Sequence, residues 1–132
     1  MQIPWGLILK VKLYEYKACS TCQKAVKFLE TKKISFERLP IVEMPPSVAE
    51  LQLMLDQLKN DGGTFKNLFN TSGVQYRELN ISAKLKSGMT EQEALTLLSK
   101  NGKLIKRPFL LTSKGATVGF NSEIWTKILQ KL

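Results

Sequence analysis

The chain holds no histidine and only two cysteines among 132 residues, and both scarcities remove whole classes of chemistry. Without histidine, no Ser-His-Asp or Cys-His pair can form within the chain, and no imidazole can ligate a metal. The two cysteines, Cys19 and Cys22, stand in one C-x-x-C. Three residues apart, they cannot form the several bridges that staple a small secreted fold. They also fall short of a closed tetrahedral zinc site, so no metal and no bound cofactor is expected. Acidic residues are few as well, 11 Asp plus Glu against 20 Lys plus Arg, for a net charge of +9. Long apolar runs are missing. The stretch from Ile3 to Leu9 is broken by Pro4 and Gly6 and followed by Lys10 and Lys12. It lacks a basic segment before it and a small-residue cleavage site after it, and it is far below the ~18 residues of a membrane span. A cytoplasmic location without a membrane partner is the expectation.

What is present describes a folded chain. Hydrophobic residues make up 43% and charged residues 23%, a balance that buries a core and excludes disorder. The length suits one domain over residues 1–132, since domains cluster near ~100–150 residues. From Leu9 to Tyr16 apolar and polar residues alternate, which predicts a strand. Ser20 with Gln23 makes an S-x-x-Q capping box, and Cys22, Ala25, Val26 and Leu29 then recur on one helical face. A short strand from Ser35 to Leu39 ends at Pro40. The opening is therefore β-α-β, with the C-x-x-C at its first strand-to-helix turn.

The middle reads as helical. Ser47 to Glu50 is a second capping box, opening a helix that faces inward with Val48, Leu51, Met54, Leu55 and Leu58 and stops at Gly62-Gly63. Residues 65–86 read as short helical turns and loops. Thr90 to Glu93 opens another helix, closed by Asn101-Gly102. Then the period changes. Phe109–Thr112 and Ala116–Phe120 flank Ser113-Lys114-Gly115 as a hairpin, and a last helix from about Ser122 to Leu132 should bury Ile124, Trp125, Ile128 and Leu129. The order β-α-β, helical insert, β-β-α predicts an α/β protein: a thioredoxin-like fold with a four-stranded mixed sheet. Its core would span about 8–40 and 104–132, with the insert at about 45–103.

At that first turn Cys19 meets the start of a helix, where unpaired N–H groups and the macrodipole favour negative charge. A thiol there has a lowered pKa and is a better nucleophile near neutral pH. Lys17 precedes it, and no acidic residue lies between Lys17 and Phe28. The same turn, beginning at Ser20, can bind an oxyanion through its converging N–H groups. Cys22, one turn on, can resolve a bond formed on Cys19. In the order of elements, Pro108 occupies the place of the cis proline that faces the active cysteine in thioredoxin-type folds. That would bring Arg107, a planar and permanently charged cation, near Cys19.

Three stretches resemble the ArsC/Spx family of arsenate reductase-like, thioredoxin-fold proteins. They are Tyr14 to Ala25, Leu68 to Gly73 with Tyr76-Arg77, and Leu104 to Leu110 followed by Val118-Gly119-Phe120. The resemblance implies Cys19 as a nucleophile toward arsenate, Arg107 and more loosely Arg77 as anion-binding arginines, and glutathione with glutaredoxin as reductant. No arginine follows Phe109, and the reductases lack a cysteine at the position of Cys22. The pair is instead similar to that of Spx-type regulators, which sense oxidants and bind the α-subunit of RNA polymerase.

Two functions follow from these features. One is a thiol-dependent oxidoreductase acting on a small anionic substrate or glutathione, with glutaredoxin or thioredoxin as partner. The other is a redox-switched regulator without turnover. The dispersed lysines carry no helix-turn-helix, RNA-binding signature or aromatic stripe, so direct nucleic-acid binding is not expected. A monomer is expected.

Overall fold

The computed structural model describes residues 11–132; the apolar stretch Ile3–Leu9 and the expected strand start at Leu9 lie outside the described residues. Four strands form one mixed sheet in the order β2-β1-β3-β4. Strand β1 (Val11–Glu15) pairs in parallel with β2 (Phe36–Pro40), and helix α1 (Ser20–Thr31) is the crossover between them. On its other edge β1 runs antiparallel to β3 (Phe109–Thr112), which continues through a tight hairpin into β4 (Gly115–Val118). Between β2 and β3 lie α2 (Val48–Asn60), α3 (Val74–Glu78), α4 (Ile81–Lys86) and α5 (Glu91–Ser99), with 3-10 turns at Phe65–Leu68 and Gly102–Leu104. The chain closes with α6 (Ser122–Leu129). This is the α/β, thioredoxin-like arrangement that the order of elements predicts.

Period-2 alternation in the central strands creates two apolar layers. Val11, Leu13 and Leu110 face α1 and α6, where Ala25, Val26, Leu29 and Trp125 complete one cluster. Tyr14, Phe109 and Leu111 face the opposite way, onto Leu51, Met54 and Leu55 of α2 and Leu95 and Leu98 of α5. The helical insert therefore shares its core with the sheet. Trp125 anchors α6: it stands edge-on to Phe28 and Phe120, and its indole N–H donates to the Gly119 carbonyl at 3.0 Å. Of the four residues expected to be buried by α6, Trp125 alone is fully buried, and Ile128 and Leu129 are half-buried. Ile124 is 47% exposed, because the inward stripe of α6 is centred on Trp125, Ile128 and Leu129, and Ile124 lies about 100° round the helix from Trp125.

The capping boxes expected at Ser47 and Thr90 are both formed, with Glu50 and Glu93 reaching back to the cap N–H groups. Glu50 does more than cap. It is only 6% exposed and accepts hydrogen bonds from the Tyr14 hydroxyl at 2.7 Å, the Ser47 N–H at 3.1 Å and the Lys12 ammonium at 3.1 Å. One carboxylate thus pins the start of α2 to β1. Burial and this contact hold the Tyr14 phenol far above its ordinary range, so it remains a donor.

Removing the carboxylate leaves a buried phenol without a partner and the Ser47 N–H without its reciprocal bond, although the Ser47 hydroxyl still caps the helix. Glu50→Ala is expected to lower unfolding stability by about 2–4 kcal/mol, and Tyr14→Phe by about 1 kcal/mol, both read from urea midpoints at constant m-value. A Glu50→Ala midpoint equal to that of the wild type would remove the anchor role.

Candidate active site at the first strand-to-helix turn

The N-cap of α1 is Cys19, not Ser20. Cys19 has extended dihedrals (φ −92°, ψ 116°), and its sulfur accepts from the Cys22 N–H at 3.3 Å. The loop after β1 closes one residue early, the Cys19 N–H donating to the Tyr16 carbonyl at 3.0 Å. That bond puts the thiol itself at the position where a cap acceptor is needed. Ser20 becomes an exposed first helical residue, and the Gln23 side chain donates to the Lys17 carbonyl at 2.8 Å instead of closing a capping box. No acidic residue occupies the first turn of the helix.

Both cysteines are free, Cys19 partly exposed and Cys22 fully buried. Burial opposes ionisation of Cys19. Hydrogen bonds from the Cys22 thiol and the Cys22 N–H, the positive charge of Arg107 and the Thr21 N–H together outweigh it, and the pKa falls below that of an ordinary thiol. Cys22 goes the other way, pushed up to about 12. Burial is the main cause, reinforced by its hydrogen bond to Cys19 and the negative charge there; the Tyr16 N–H and Arg107 act in the opposite sense. The two thiols are thereby split, one more acidic and the other less acidic than an ordinary thiol.

Arg107 comes from the segment between the insert and β3. The Arg107–Pro108 peptide bond is cis, and the Pro108 carbonyl accepts from the Gly119 N–H at 2.8 Å, tying this corner to the hairpin. The segment before it is held by the Leu68–Gly73 motif. The Asn70 N–H donates to the Leu104 carbonyl and the Lys106 N–H to the Leu68 carbonyl, each at 2.7 Å, around a bridge between Phe69 and Ile105. Gly102 is also required, because a Cβ there would overlap the backbone carbonyl of Ile41. The guanidinium lies over the Tyr16 ring, 4.6 Å from its centroid. Its Nη1 is buried and has no hydrogen-bond partner. A buried donor without a partner next to a thiol of lowered pKa is a place for an anion.

The other candidate residues are less central. Lys17 and Arg77 are exposed, Arg77 on α3. Neither contributes to the shift at Cys19, where Arg107 is the charged side chain that acts. Tyr16 was not apparent from residue chemistry; its one signal in the sequence is an aromatic ring three residues before a candidate nucleophile. A cleft of about 620 Å³ opens between the Tyr16–Ala18 turn and Arg38, Pro40 and Glu43. Among the described residues, no group of three or more His, Cys, Asp or Glu could hold a metal ion. No helix among them is long and apolar enough to cross a membrane.

The split in acidity sets a pH order. In reduced protein, Cys19 is expected to alkylate along a curve centred below that of an unperturbed thiol. Cys22 should stay unmodified until the pH nears about 12 or the chain unfolds. Peptide mass spectrometry after timed iodoacetamide treatment reads both; equal labelling of the two at pH 7 would contradict the assignment.

Comparison with known proteins identifies the family and the fold. The ArsC family profile matches residues 14–128. The uncharacterized protein YusI of Bacillus subtilis is 41% identical over 115 residues, covering 87% of this chain and 94% of YusI. The global transcriptional regulator Spx 2 of Bacillus cereus is 30% identical over 121 residues, covering 92% of this chain and 88% of the regulator. Among solved structures, one described as a possible arsenate reductase from Streptococcus mutans superposes with a TM-score of 0.76 at 34% identity, covering 89% of this chain and 98% of the other. With this span of matched sequence and the same thioredoxin-like sheet, the chain belongs to the ArsC family, the group that includes the Spx regulators.

Proposed function

We propose that the protein is a thiol-dependent oxidoreductase acting on a small anionic substrate, with Cys19 as nucleophile and Cys22 as resolving thiol. One observation carries the reading: a sulfur that caps a helix stands within the field of a half-buried guanidinium whose buried Nη1 has no partner. The first gives a nucleophile without histidine; the second gives an anion a place to bind. Arg107 is the anion-holding residue, and the N–H groups from Ser20 onward add to it.

In the first step the Cys19 thiolate attacks the electrophilic centre of the substrate. A bond from sulfur to that centre forms, an oxygen leaves, and solvent protons carry it off as water. The same step arms Cys22. Once Cys19 is bonded it has lost its negative charge, one of the influences that keep the Cys22 proton in place, while Arg107 still favours the Cys22 thiolate. Cys22 then loses its proton and attacks the Cys19 sulfur. The Cys19–Cys22 disulfide forms, the bond to the substrate breaks, and the electron pair leaves with the substrate, reduced by two electrons. An external thiol such as glutathione with glutaredoxin, or thioredoxin, returns the disulfide to two thiols. A reducing cytoplasmic setting suits this cycle.

A second reading rests on the likeness to Spx 2 and on the C-x-x-C itself: a redox-sensing regulator that binds the RNA polymerase α-subunit without turnover. Pull-down with that subunit, in oxidised and reduced states, separates the two. Redox-dependent binding without reduction of any small anion would favour the regulator.

For the oxidoreductase, arsenate with glutathione and glutaredoxin is the first substrate to test, by coupled consumption of a nicotinamide reductant. Cys19→Ser is expected to abolish turnover. Arg107→Ala should lower kcat/KM by roughly 100-fold, and Cys22→Ser should accumulate an arsenic or glutathione adduct on Cys19, visible by intact mass. Wild-type protein that forms neither an adduct nor a disulfide under these conditions would defeat the oxidoreductase reading.

A further inference from the structure

We infer that Tyr16 is a positioning residue whose ring fixes the Arg107 guanidinium where it acts on Cys19; the inference rests on the reading of Cys19 as nucleophile. Arg107 has to be held by something. Among the described residues the ion pairs are Lys12–Glu50, Arg38–Glu15 and Lys59–Glu91, and none involves Arg107. Its guanidinium lies instead over the face of Tyr16, 4.6 Å from the ring centroid.

An aromatic partner differs from a carboxylate in a way that matters here. A carboxylate would orient the guanidinium but cancel its charge locally, and Cys19 would lose much of the field that lowers its pKa. A ring face holds a planar cation through the quadrupole and by stacking, and leaves both the charge and the edge nitrogens free. The buried, unpartnered Nη1 is what such an arrangement produces. Tyr16 thus orients the cation without neutralising it.

The role of the ring is separable from that of the backbone. The Tyr16 carbonyl accepts from the Cys19 N–H at 3.0 Å, and its N–H reaches the Cys22 sulfur. Any residue other than proline supplies both groups. A side-chain substitution at 16 therefore leaves the turn its bonds and removes the stack alone. The hydroxyl forms no hydrogen bond among the described residues, so phenylalanine should serve nearly as well.

The test uses the full-length reduced protein and the rate of iodoacetamide labelling at Cys19 against pH, with thermal unfolding recorded for every variant. Tyr16→Leu is expected to slow labelling at pH 7 by about threefold to tenfold, with the pH profile displaced upward. Tyr16→Phe should recover most of the rate. The double variant Tyr16→Leu/Arg107→Leu should be no slower than Arg107→Leu alone, as it must be if Tyr16 acts through Arg107. Should Tyr16→Leu not fold, Arg107→Lys keeps the charge and gives up the flat stack; slower labelling there supports the inference, and a wild-type rate overturns it. Wild-type labelling in Tyr16→Leu while Arg107→Leu is slow overturns the positioning role and leaves the nucleophile reading standing. Wild-type labelling in both variants overturns the two together, because Arg107 would then not act on the thiol.

Discussion

A thiolate in a chain without histidine has to be stabilised by backbone dipoles and by a fixed cation, and the rest of the structure is arranged around that constraint. Cys19 meets it by being the cap of α1: its sulfur sits where the unpaired N–H groups of the helix converge. The helix start alone would work against burial, which raises the pKa of the same thiol. The balance tips toward the thiolate because Cys22 donates to it and Arg107 stands nearby. Each contribution comes from a different element: the turn after β1, the inward face of α1, and the corner before β3.

Bringing those three elements together is the work of the fold. The parallel pairing of β1 with β2 requires a crossover, and the crossover helix begins at the C-terminal end of β1, which fixes where the cysteine turn lies. The antiparallel pairing of β1 with β3 then places Arg107, just before β3, beside that same end, since Tyr14 is registered with Phe109. The helical insert is more than a spacer. Its Leu68–Asn70 segment bonds to Leu104–Lys106, and the close approach of Gly102 to Ile41 admits no side chain, so the corner that carries Arg107 is held from behind. Glu50 fastens the insert to β1 through Tyr14 and Lys12, two residues of the strand that leads into the cysteine turn.

This arrangement also explains how two neighbouring thiols acquire opposite characters. Cys22 lies on the apolar face of α1 with Ala25, Val26 and Leu29, so the period that builds the core is the one that buries it. Being buried beside a negative sulfur keeps it protonated. Cys19, one turn earlier, is at the edge of that face and partly open. Either use of the pair, turnover or redox sensing, starts from this asymmetry.

Local pattern was enough to read the order of strands and helices, the capping boxes at Ser47 and Thr90, the face of α1 and the location of the two cysteines, because each depends on residues within a turn or two of one another. It was not enough at the start of α1, where Ser20 satisfies the local rule for a cap and a backbone bond from Cys19 to Tyr16 moves the cap by one residue. It overstated the buried stripe of the last helix at Ile124, which depends on how α6 is rotated about Trp125. The bonds of Glu50 to Tyr14 and Lys12, the close packing of Gly102 and the stack of Arg107 on Tyr16 were likewise decided by tertiary structure. They join residues separated by tens of positions, and no periodicity along the chain encodes which side chains meet across a sheet. What the sequence determined alone is that any thiolate here must be made without histidine; which cation would help make it, and what would hold that cation, depended on the antiparallel pairing that carries residue 107 back to residue 16.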